Sequence, residues 1–259
     1  MHIDLHNHTF LCNHATGTPQ AYVESAIAKG ITTFGFSDHA PMHFDPDYRM
    51  RFDQIELYES TISELQNRYA NKIEILLGYE VDYLPAYSDD TIFKRHVDYL
   101  IGSVHFIDEW GFDNPEFIGR YHNEDIDTIW QRYFDLIEAM AKSGQYDIVG
   151  HFDLIKVFKF MPTVDVRLLA KNALNAIKKS NMVIEINGAG LRKPIAETYP
   201  SRMLLEETFA LDIPITFGND AHSVDQVGLF TREIEHFAKE VGYTQCATFK
   251  ARDRKLLNF

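Results

Sequence analysis

Histidine and acidic side chains recur directly after short apolar segments of this chain, and they are the residues best suited to chemistry. Imidazole nitrogens and carboxylate oxygens together are typical ligands of zinc, iron and manganese. Nine residues of these types recur in this way, which is too many ligands for one ion. The pattern therefore predicts two or three divalent ions, with a carboxylate such as Glu80 bridging a pair. The predicted metal ligands are His6, His8, His14, His39, Glu80, His105, His151, Asp220 and His222.

Each of these residues taken alone also has a structural explanation. A His-x-His pair such as His6 and His8 can be two incidental polar side chains, a single histidine such as His39 can stabilise the core, and Glu80 can be a capping or salt-bridging group. Their conjunction favours the metal site, because uncompensated carboxylates crowded at one place repel each other and are costly to desolvate. Bound cations remove that conflict.

Alternating strand and helix patterns provide the framework that would gather these residues. Such alternation predicts a parallel sheet, closed or open, whose loops after the strands converge at one rim. Seven strand candidates favour a seven-stranded β/α barrel over the usual eight-stranded one. The predicted strands are His2–Leu5, Thr33–Ser37, Ile73–Glu80, Tyr99–His105, Ile148–His151, Val183–Asn187 and Ile215–Gly218. The predicted helices are Thr18–Gly30, Asp53–Tyr69, Glu124–Lys142, Asp165–Ser180, Ser201–Leu211 and Gln226–Val241.

Composition limits the classes of protein to which the chain can belong. Its 259 residues suit one large barrel or two small domains, and without a repeat or low-complexity stretch we predict a single domain, residues 1–259. A net charge of −13 argues against nucleic-acid and anionic-membrane partners, and no apolar run is long enough to span a membrane. With two cysteines and no signal-peptide pattern after Met1, we expect a cytoplasmic protein. The sequence leaves its oligomeric state open.

Seven short motifs in series carry a family resemblance. They are His6–Thr9, Cys12–Thr18, Ser37–His39, Gly78–Asp82, Gly102–His105, Gly150–Asp153 and Asn219–His222. In this order they resemble the motifs of the PHP superfamily (polymerase and histidinol phosphatase), and within it the chain most resembles the monofunctional histidinol-phosphate phosphatases. The resemblance implies a distorted seven-stranded (β/α)7 barrel with a trinuclear metal site at the carboxyl ends of the strands.

Carried onto this sequence, the resemblance implies three metal sites and leaves the choice among Zn, Fe and Mn open. No ligand position is replaced, which disfavours a non-catalytic metal-binding or regulatory module. One ion would be held by His6, His8, Glu80 and Asp220, a second by Glu80, His105 and His151, and a third by His14, His39 and His222.

The same resemblance implies a phosphatase that hydrolyses L-histidinol phosphate to L-histidinol and orthophosphate in histidine biosynthesis. The predicted catalytic residues are Glu80, Arg192 and Asp220, and Arg192 and Lys156 are the predicted substrate contacts. Arg192 would offer a planar pair of donors to the phosphate, unless it is a solvated loop residue. The alternative functions are a broad phosphatase for small phosphates and a phosphodiesterase.

Other polar residues have weaker interpretations. The substrate's ammonium group could be held by Glu185 or Glu197, and Asp153 could orient a metal ligand from behind. Cys12 is interpreted as a buried packing residue, and Arg49 as a surface residue. The proton donor to the leaving group is not identified by the sequence.

Overall fold

The computed structural model describes residues 2–259. Seven parallel strands form the central sheet, and two antiparallel hairpins lie outside it. In chain order the strands are β1 Ile3–Asp4, β2 Thr33–His39, β3 Glu74–Asp82, β4 Tyr99–Ser103, β5 Phe106–Ile107, β6 Trp110–Gly111, β7 Ile148–Val149, β8 Val183–Asn187, β9 Ile215–Gly218, β10 Gln245–Lys250 and β11 Asp253–Asn258.

The central sheet closes on itself to form a barrel. Its strand order is β1-β2-β3-β4-β7-β8-β9, with every neighbouring pair parallel. The ends of this sheet meet where the Leu5 amide donates to the Phe217 carbonyl at 2.9 Å and where Asn7 pairs with Ala221. The predicted fold class, an α/β barrel of seven strands, is therefore confirmed.

Six helices surround the strands, as predicted. They are α1 Pro19–Ala28, α2 Ile55–Tyr69, α3 Ile126–Ser143, α4 Val166–Lys179, α5 Arg202–Ala210 and α6 Thr231–Val241. Thr18 caps α1 by accepting a hydrogen bond from the Ala21 amide, as its sequence pattern indicates. Only α6 begins well after its predicted start, because Gly228 with a φ of +59° separates it from a short 3₁₀ helix at Val224–Gln226.

Strand ends differ from the prediction at the positions that matter for the site. Strand β2 continues through His39 and β3 continues to Asp82, so Asp38, His39 and Glu80 lie within strands. Strand β4 stops at Ser103 and β7 stops at Val149. His105 and His151 therefore lie in loops just beyond their strands, and not at the strand ends as predicted.

The barrel interior is filled by side chains. Tyr99 reaches across it, and its hydroxyl donates to the Leu5 carbonyl at 2.6 Å. A Cβ atom at Gly35 would lie 2.1 Å from that hydroxyl, and one at Gly78 would lie 2.6 Å from the tyrosine ring. Both positions must therefore be glycine for Tyr99 to occupy the interior. The side chains packed around the Tyr99 ring therefore fill the barrel interior.

The C-terminal hairpin, which the sequence analysis did not predict, lies at the amino-terminal end of the barrel. Arg252 in its turn pairs with Asp147 at 2.9 Å, directly before β7, and the Ala251 amide donates to Asp98, directly before β4. The Thr216 hydroxyl of β9 donates to the Ala247 carbonyl at 2.8 Å. The opposite, carboxyl-terminal end is left for the polar residues. No helix within residues 2–259 is long and apolar enough to cross a membrane.

Candidate metal centre

All nine predicted ligands converge at the carboxyl-terminal rim of the barrel. Donor atoms lie within 4.8 Å of one another, one atom from each residue, in five groups of three residues; one further group contains Cys12 with His8 and His222, another contains Asp82 with His39 and His105, and three consist of predicted ligands alone. These last three groups are His6, His8 and Glu80; Glu80, His105 and His151; and His14, His39 and His222. They correspond to the three ligand sets that the resemblance implies, except that Asp220 is not part of the first group. Asp220 Oδ1 nevertheless lies 3.0 Å from His8 Nε2 and 3.8 Å from His6 Nε2.

Glu80 lies at the centre of the rim and is almost completely buried. Its Oε1 lies 2.9 Å from His151 Nε2 and accepts from the Ser103 hydroxyl at 2.6 Å. Its Oε2 lies 2.9 Å from His39 Nδ1 and 3.4 Å from His6 Nε2. Burial opposes ionisation, but the charges of the surrounding histidines outweigh it and hold the pKa of Glu80 well below its usual range. The carboxylate is therefore charged and faces histidines on both sides, as a bridging ligand must.

Several buried polar atoms of the rim have no hydrogen-bond partner among the described residues. Such atoms are costly to bury, so a cluster of them calls for an explanation. They are imidazole nitrogens and a carboxylate oxygen, and Glu80 Oε2 faces two of these nitrogens, His39 Nδ1 and His6 Nε2, without making a hydrogen bond to either. Cations are the groups that this donor chemistry suits. The unpartnered atoms are His6 Nε2, His8 Nδ1, His39 Nδ1, Glu80 Oε2, His151 Nδ1 and His222 Nε2. The residues present therefore fit a metal cluster.

Buried carboxylates hold several of these histidines from behind. His6 Nδ1 donates to Glu185 Oε1 at 2.7 Å, and His105 Nδ1 donates to Asp82 Oδ1 at 2.7 Å. Each bond fixes the ring so that Nε2 faces Glu80, which is the arrangement that raises the basicity of a metal-binding imidazole. The assignment of Glu185 to the substrate's ammonium group is therefore wrong, because its second oxygen also accepts from the His151 amide at 2.9 Å.

Asp82 belongs to the site, although it is not among the residues predicted from the sequence. Its side chain shares a strand face with Glu80, two residues earlier in β3, so the period-two alternation was an available signal. Arg49 was also misplaced: it is buried rather than on the surface, and it pairs with Asp82 at 2.9 Å. Its position could not be read from the sequence, because the segment between β2 and α2 has no regular pattern.

Backbone carbonyls orient two of the three histidines of the third group. His14 Nδ1 donates to the Cys12 carbonyl at 2.8 Å, and His222 Nδ1 donates to the Asp220 carbonyl at 3.0 Å. Burial lowers the pKa of His14 and His222, and it lowers the pKa of His39 to about 4. Burial therefore favours the neutral imidazole in these three rings, which is the form that binds metal. At His6, His8 and His105 the effect of burial is outweighed by neighbouring carboxylates, which raise the pKa of these rings.

Cys12 lies close to the third group but is a packing residue, as predicted. Its sulfur is within 4.8 Å of donor atoms on His8 and His222. Its thiol is fully buried and donates to the Thr9 carbonyl at 3.1 Å. Burial raises the pKa of this thiol, so the thiolate that would bind a metal is disfavoured.

Arg192 extends from a short 3₁₀ helix, Gly188–Arg192, onto the end of β9. Its Nη1 donates to the Asn219 carbonyl at 2.8 Å and its Nη2 to the Asp220 carbonyl at 2.5 Å. These two bonds place the guanidinium beside the predicted ligand Asp220. They use only part of its five N–H groups.

Lys156 is completely buried, and its ammonium group is surrounded by protein oxygens. Its Nζ lies 3.0 Å from Asp153 Oδ2, 3.1 Å from Glu197 Oε2 and 2.8 Å from the Thr198 carbonyl. The three hydrogens of the ammonium group are thus already used, and a substrate contact would have to displace one of these partners. Asp153 binds Lys156 and the Ser201 amide, so it does not orient a metal ligand.

The chain matches the PHP domain family over residues 4–189. It is 36% identical over 254 residues to the "probable histidinol-phosphatase" of Deinococcus radiodurans, covering 96% of each chain. It is 33% identical over 258 residues to the histidinol-phosphatase of Bacillus subtilis, covering 87% of this chain and 95% of that protein.

A solved structure shares the same fold. It is the histidinol phosphate phosphatase of Lactococcus lactis in complex with Zn, L-histidinol and phosphate, with a TM-score of 0.81, 22% identity and 98% coverage of both chains. The motif series, the seven-stranded barrel and these sequence matches agree. The chain belongs to the PHP domain family.

Proposed function

We propose that this protein is a metal-dependent phosphatase that hydrolyses L-histidinol phosphate to L-histidinol and orthophosphate, and thereby acts in histidine biosynthesis. The observation that carries the proposal is the convergence of three ligand groups at the rim of the barrel, two of them sharing Glu80. The names of the Deinococcus and Bacillus relatives support the choice of substrate.

The proposed cofactors are two or three divalent ions, held by the ligand groups described above. Asp220 completes the first group because its Oδ1 lies within 4 Å of both His6 and His8. Zinc, iron and manganese all suit imidazole and carboxylate ligands. The zinc in the complex of the Lactococcus protein supports zinc as one of them.

The reaction requires water to add to phosphorus while the ester oxygen leaves and gains a proton. Bound divalent ions would neutralise phosphoryl oxygens and lower the pKa of a water molecule toward neutrality. Glu185 and Asp82 keep the Nδ1 protons of His6 and His105 directed away from the centre. Ser103 fixes the Glu80 carboxylate through its hydrogen bond to Oε1. These residues therefore set the geometry before substrate binds, so little reorganisation is needed during reaction.

Arg192 is the proposed phosphate contact. The carbonyls of Asn219 and Asp220 hold the guanidinium in place, and its remaining N–H groups can donate to two phosphoryl oxygens at once. Burial lowers the pKa of Arg192, but an arginine stays protonated in proteins, so the contact is charge-assisted. Lys156 was predicted to be a second contact, and we now propose that it stabilises the loop carrying Glu197 and Thr198 instead.

The chain is further proposed to act as one domain, residues 1–259, because the C-terminal hairpin packs against residues that precede β4 and β7. Its net charge of −13 supports a small-molecule substrate over a polynucleotide.

A substrate panel tests the proposed function. Turnover of L-histidinol phosphate should exceed that of simple alkyl phosphates and of a phosphate bis-ester, with metal content measured on the same sample. Equal rates on all monoesters would indicate a broad phosphatase, and faster cleavage of the bis-ester would indicate a phosphodiesterase. No turnover of any ester by metal-loaded protein would leave a metal-binding module.

A further inference from the structure

A cavity of about 510 Å³ lies outside the candidate metal centre, among the first residues of α4 and α5, helix α6 and the loop that follows β7. Of the described residues that line it, none is a proposed metal ligand, and Arg192 is not among them. Its volume is in the range of sites that bind small organic molecules. The cavity is therefore a candidate ligand site that is separate from the proposed phosphatase centre.

Apolar side chains from several elements form a large part of the lining. Trp130 comes from α3 and is completely buried, whereas Met161 and Met203 are half-exposed at the edge of the cavity. The other large apolar side chains are Leu191 and Phe237. A ligand with an apolar body would remove this surface from water, which stabilises the bound state.

The Asp153 carboxylate, which also lines the cavity, has one oxygen without a partner. The residue is only 1% exposed. Its Oδ2 accepts from the Ser201 amide at 2.8 Å and lies 3.0 Å from Lys156 Nζ, whereas Oδ1 has no hydrogen-bond partner among residues 2–259. A buried carboxylate oxygen without a donor is costly, so the cavity offers an unfilled acceptor at Asp153.

The other charged groups of the lining favour a cationic ligand over an anionic one. The three hydrogens of Lys156 are used by protein oxygens, and Arg202 is paired with two surface carboxylates at 3.0 and 2.9 Å. Glu197 and Glu233 also line the cavity, so that with Asp153 three acids face these two bases. An anion would therefore meet net negative charge and an oxygen that cannot donate, whereas an ammonium group could donate to Asp153 Oδ1.

We propose that this cavity is a second ligand site, which binds a small organic cation. The ammonium group of the ligand donates to Asp153 Oδ1, and its apolar body packs against Trp130 and Phe237. The ligand class is therefore a primary amine with an aromatic or aliphatic body. Leu191 lines the cavity and directly precedes Arg192, so a bound amine contacts the loop that carries the proposed phosphate contact. The site goes beyond the proposed function and does not depend on which ester the metal centre hydrolyses.

Calorimetric titration of metal-loaded protein with 2-phenylethylammonium tests the assignment, with inorganic phosphate present to occupy the metal centre. Wild type should bind this amine at one site with a Kd of roughly a millimolar or tighter. The neutral analogue 2-phenylethanol should bind at least about tenfold more weakly, because it cannot make the charge-assisted contact. Asp153→Asn should weaken amine binding by a similar factor. Its oxygen must stay directed at Lys156 and the Ser201 amide, so an NH₂ group replaces the acceptor Oδ1.

A second variant blocks the cavity without changing Asp153. Met203 is half-exposed at the start of α5 and lines the cavity, so Met203→Trp should abolish amine binding. Leu168→Trp is the control, because it places the same ring at an exposed position of α4 outside the described lining, and binding should persist. No saturable binding to wild type, or equal affinity for the amine and the alcohol, would overturn the proposal. Wild-type affinity in Met203→Trp would also overturn it, because the amine would then bind outside this cavity.

Discussion

Replacing Glu185 by glutamine should weaken metal binding without removing any ligand. In the structure the Glu185 carboxylate accepts three hydrogen bonds and donates none: Oε1 accepts from His6 Nδ1 at 2.7 Å, and Oε2 accepts from the His151 amide at 2.9 Å and from Asn187 Nδ2 at 3.0 Å. Glutamine has one acceptor oxygen and an NH₂ group that only donates. Whichever way the amide is oriented, its NH₂ group faces a buried donor.

In the lower-cost orientation the glutamine oxygen accepts from the His151 amide and from Asn187 Nδ2, and the NH₂ group faces His6 Nδ1. His6 would then have to move its proton from Nδ1 to Nε2 in order to accept. Nε2 is the nitrogen that lies 3.4 Å from Glu80 and 3.8 Å from Asp220, so a proton there would block metal binding. Keeping the proton on Nδ1 instead leaves a buried donor unsatisfied, at a cost of about 1–3 kcal/mol.

That cost corresponds to about a 5- to 150-fold loss of zinc affinity, since 1.4 kcal/mol is a factor of ten. The assay is competition for zinc between the metal-free protein and a chromophoric chelator, with thermal unfolding of the metal-free variant as a check on folding. Glu197→Gln is the matched control, because this carboxylate is 53% exposed and its ion-pair partner is Lys156. Zinc affinity of Glu185→Gln within about twofold of wild type would refute the role of Glu185 as the group that orients His6.

Three further substitutions test separate parts of the account. Glu80→Gln should lose bound metal and nearly all turnover, as measured by elemental analysis and phosphate release, and normal metal content would remove it from the site. Arg192→Ala should lower kcat/KM by about ten- to a hundredfold and weaken inhibition by phosphate with metal content unchanged, while Arg192→Lys should recover only part of the loss. Arg49→Met should lower the free energy of unfolding by about 3–5 kcal/mol in urea titration, because it leaves Asp82 buried and without its arginine. The exposed control Arg51→Met should leave the unfolding midpoint unchanged.

The barrel strands and helices could be predicted from the sequence because each has a clear hydrophobic pattern and, in several cases, a capping residue. Strands β8 and β9 were placed with their observed bounds, and α1 begins after the predicted cap Thr18. The two hairpins could not be predicted. Strands β5 and β6 have two residues each, too few to show alternation, and β11 is mostly exposed, so it lacks an apolar face.

The convergence of the proposed ligands at one rim could be predicted because they lie in or soon after strands in a series of motifs, whereas the residues behind them could not all be found in this way. The contact between Glu185 of β8 and His6, which follows β1, is known only from the sheet order. Arg49 reaches Asp82 from an irregular segment. These contacts depend on tertiary geometry, which one sequence does not contain.

Titration of metal-free protein with zinc or manganese, with the rate of L-histidinol phosphate hydrolysis followed at each addition, tests the central claim most directly. Hydrolysis should be absent without metal and should rise until two to three equivalents are bound, because the proposed ligands form three groups, two of which share Glu80. Full turnover by protein verified to be free of metal would contradict the account.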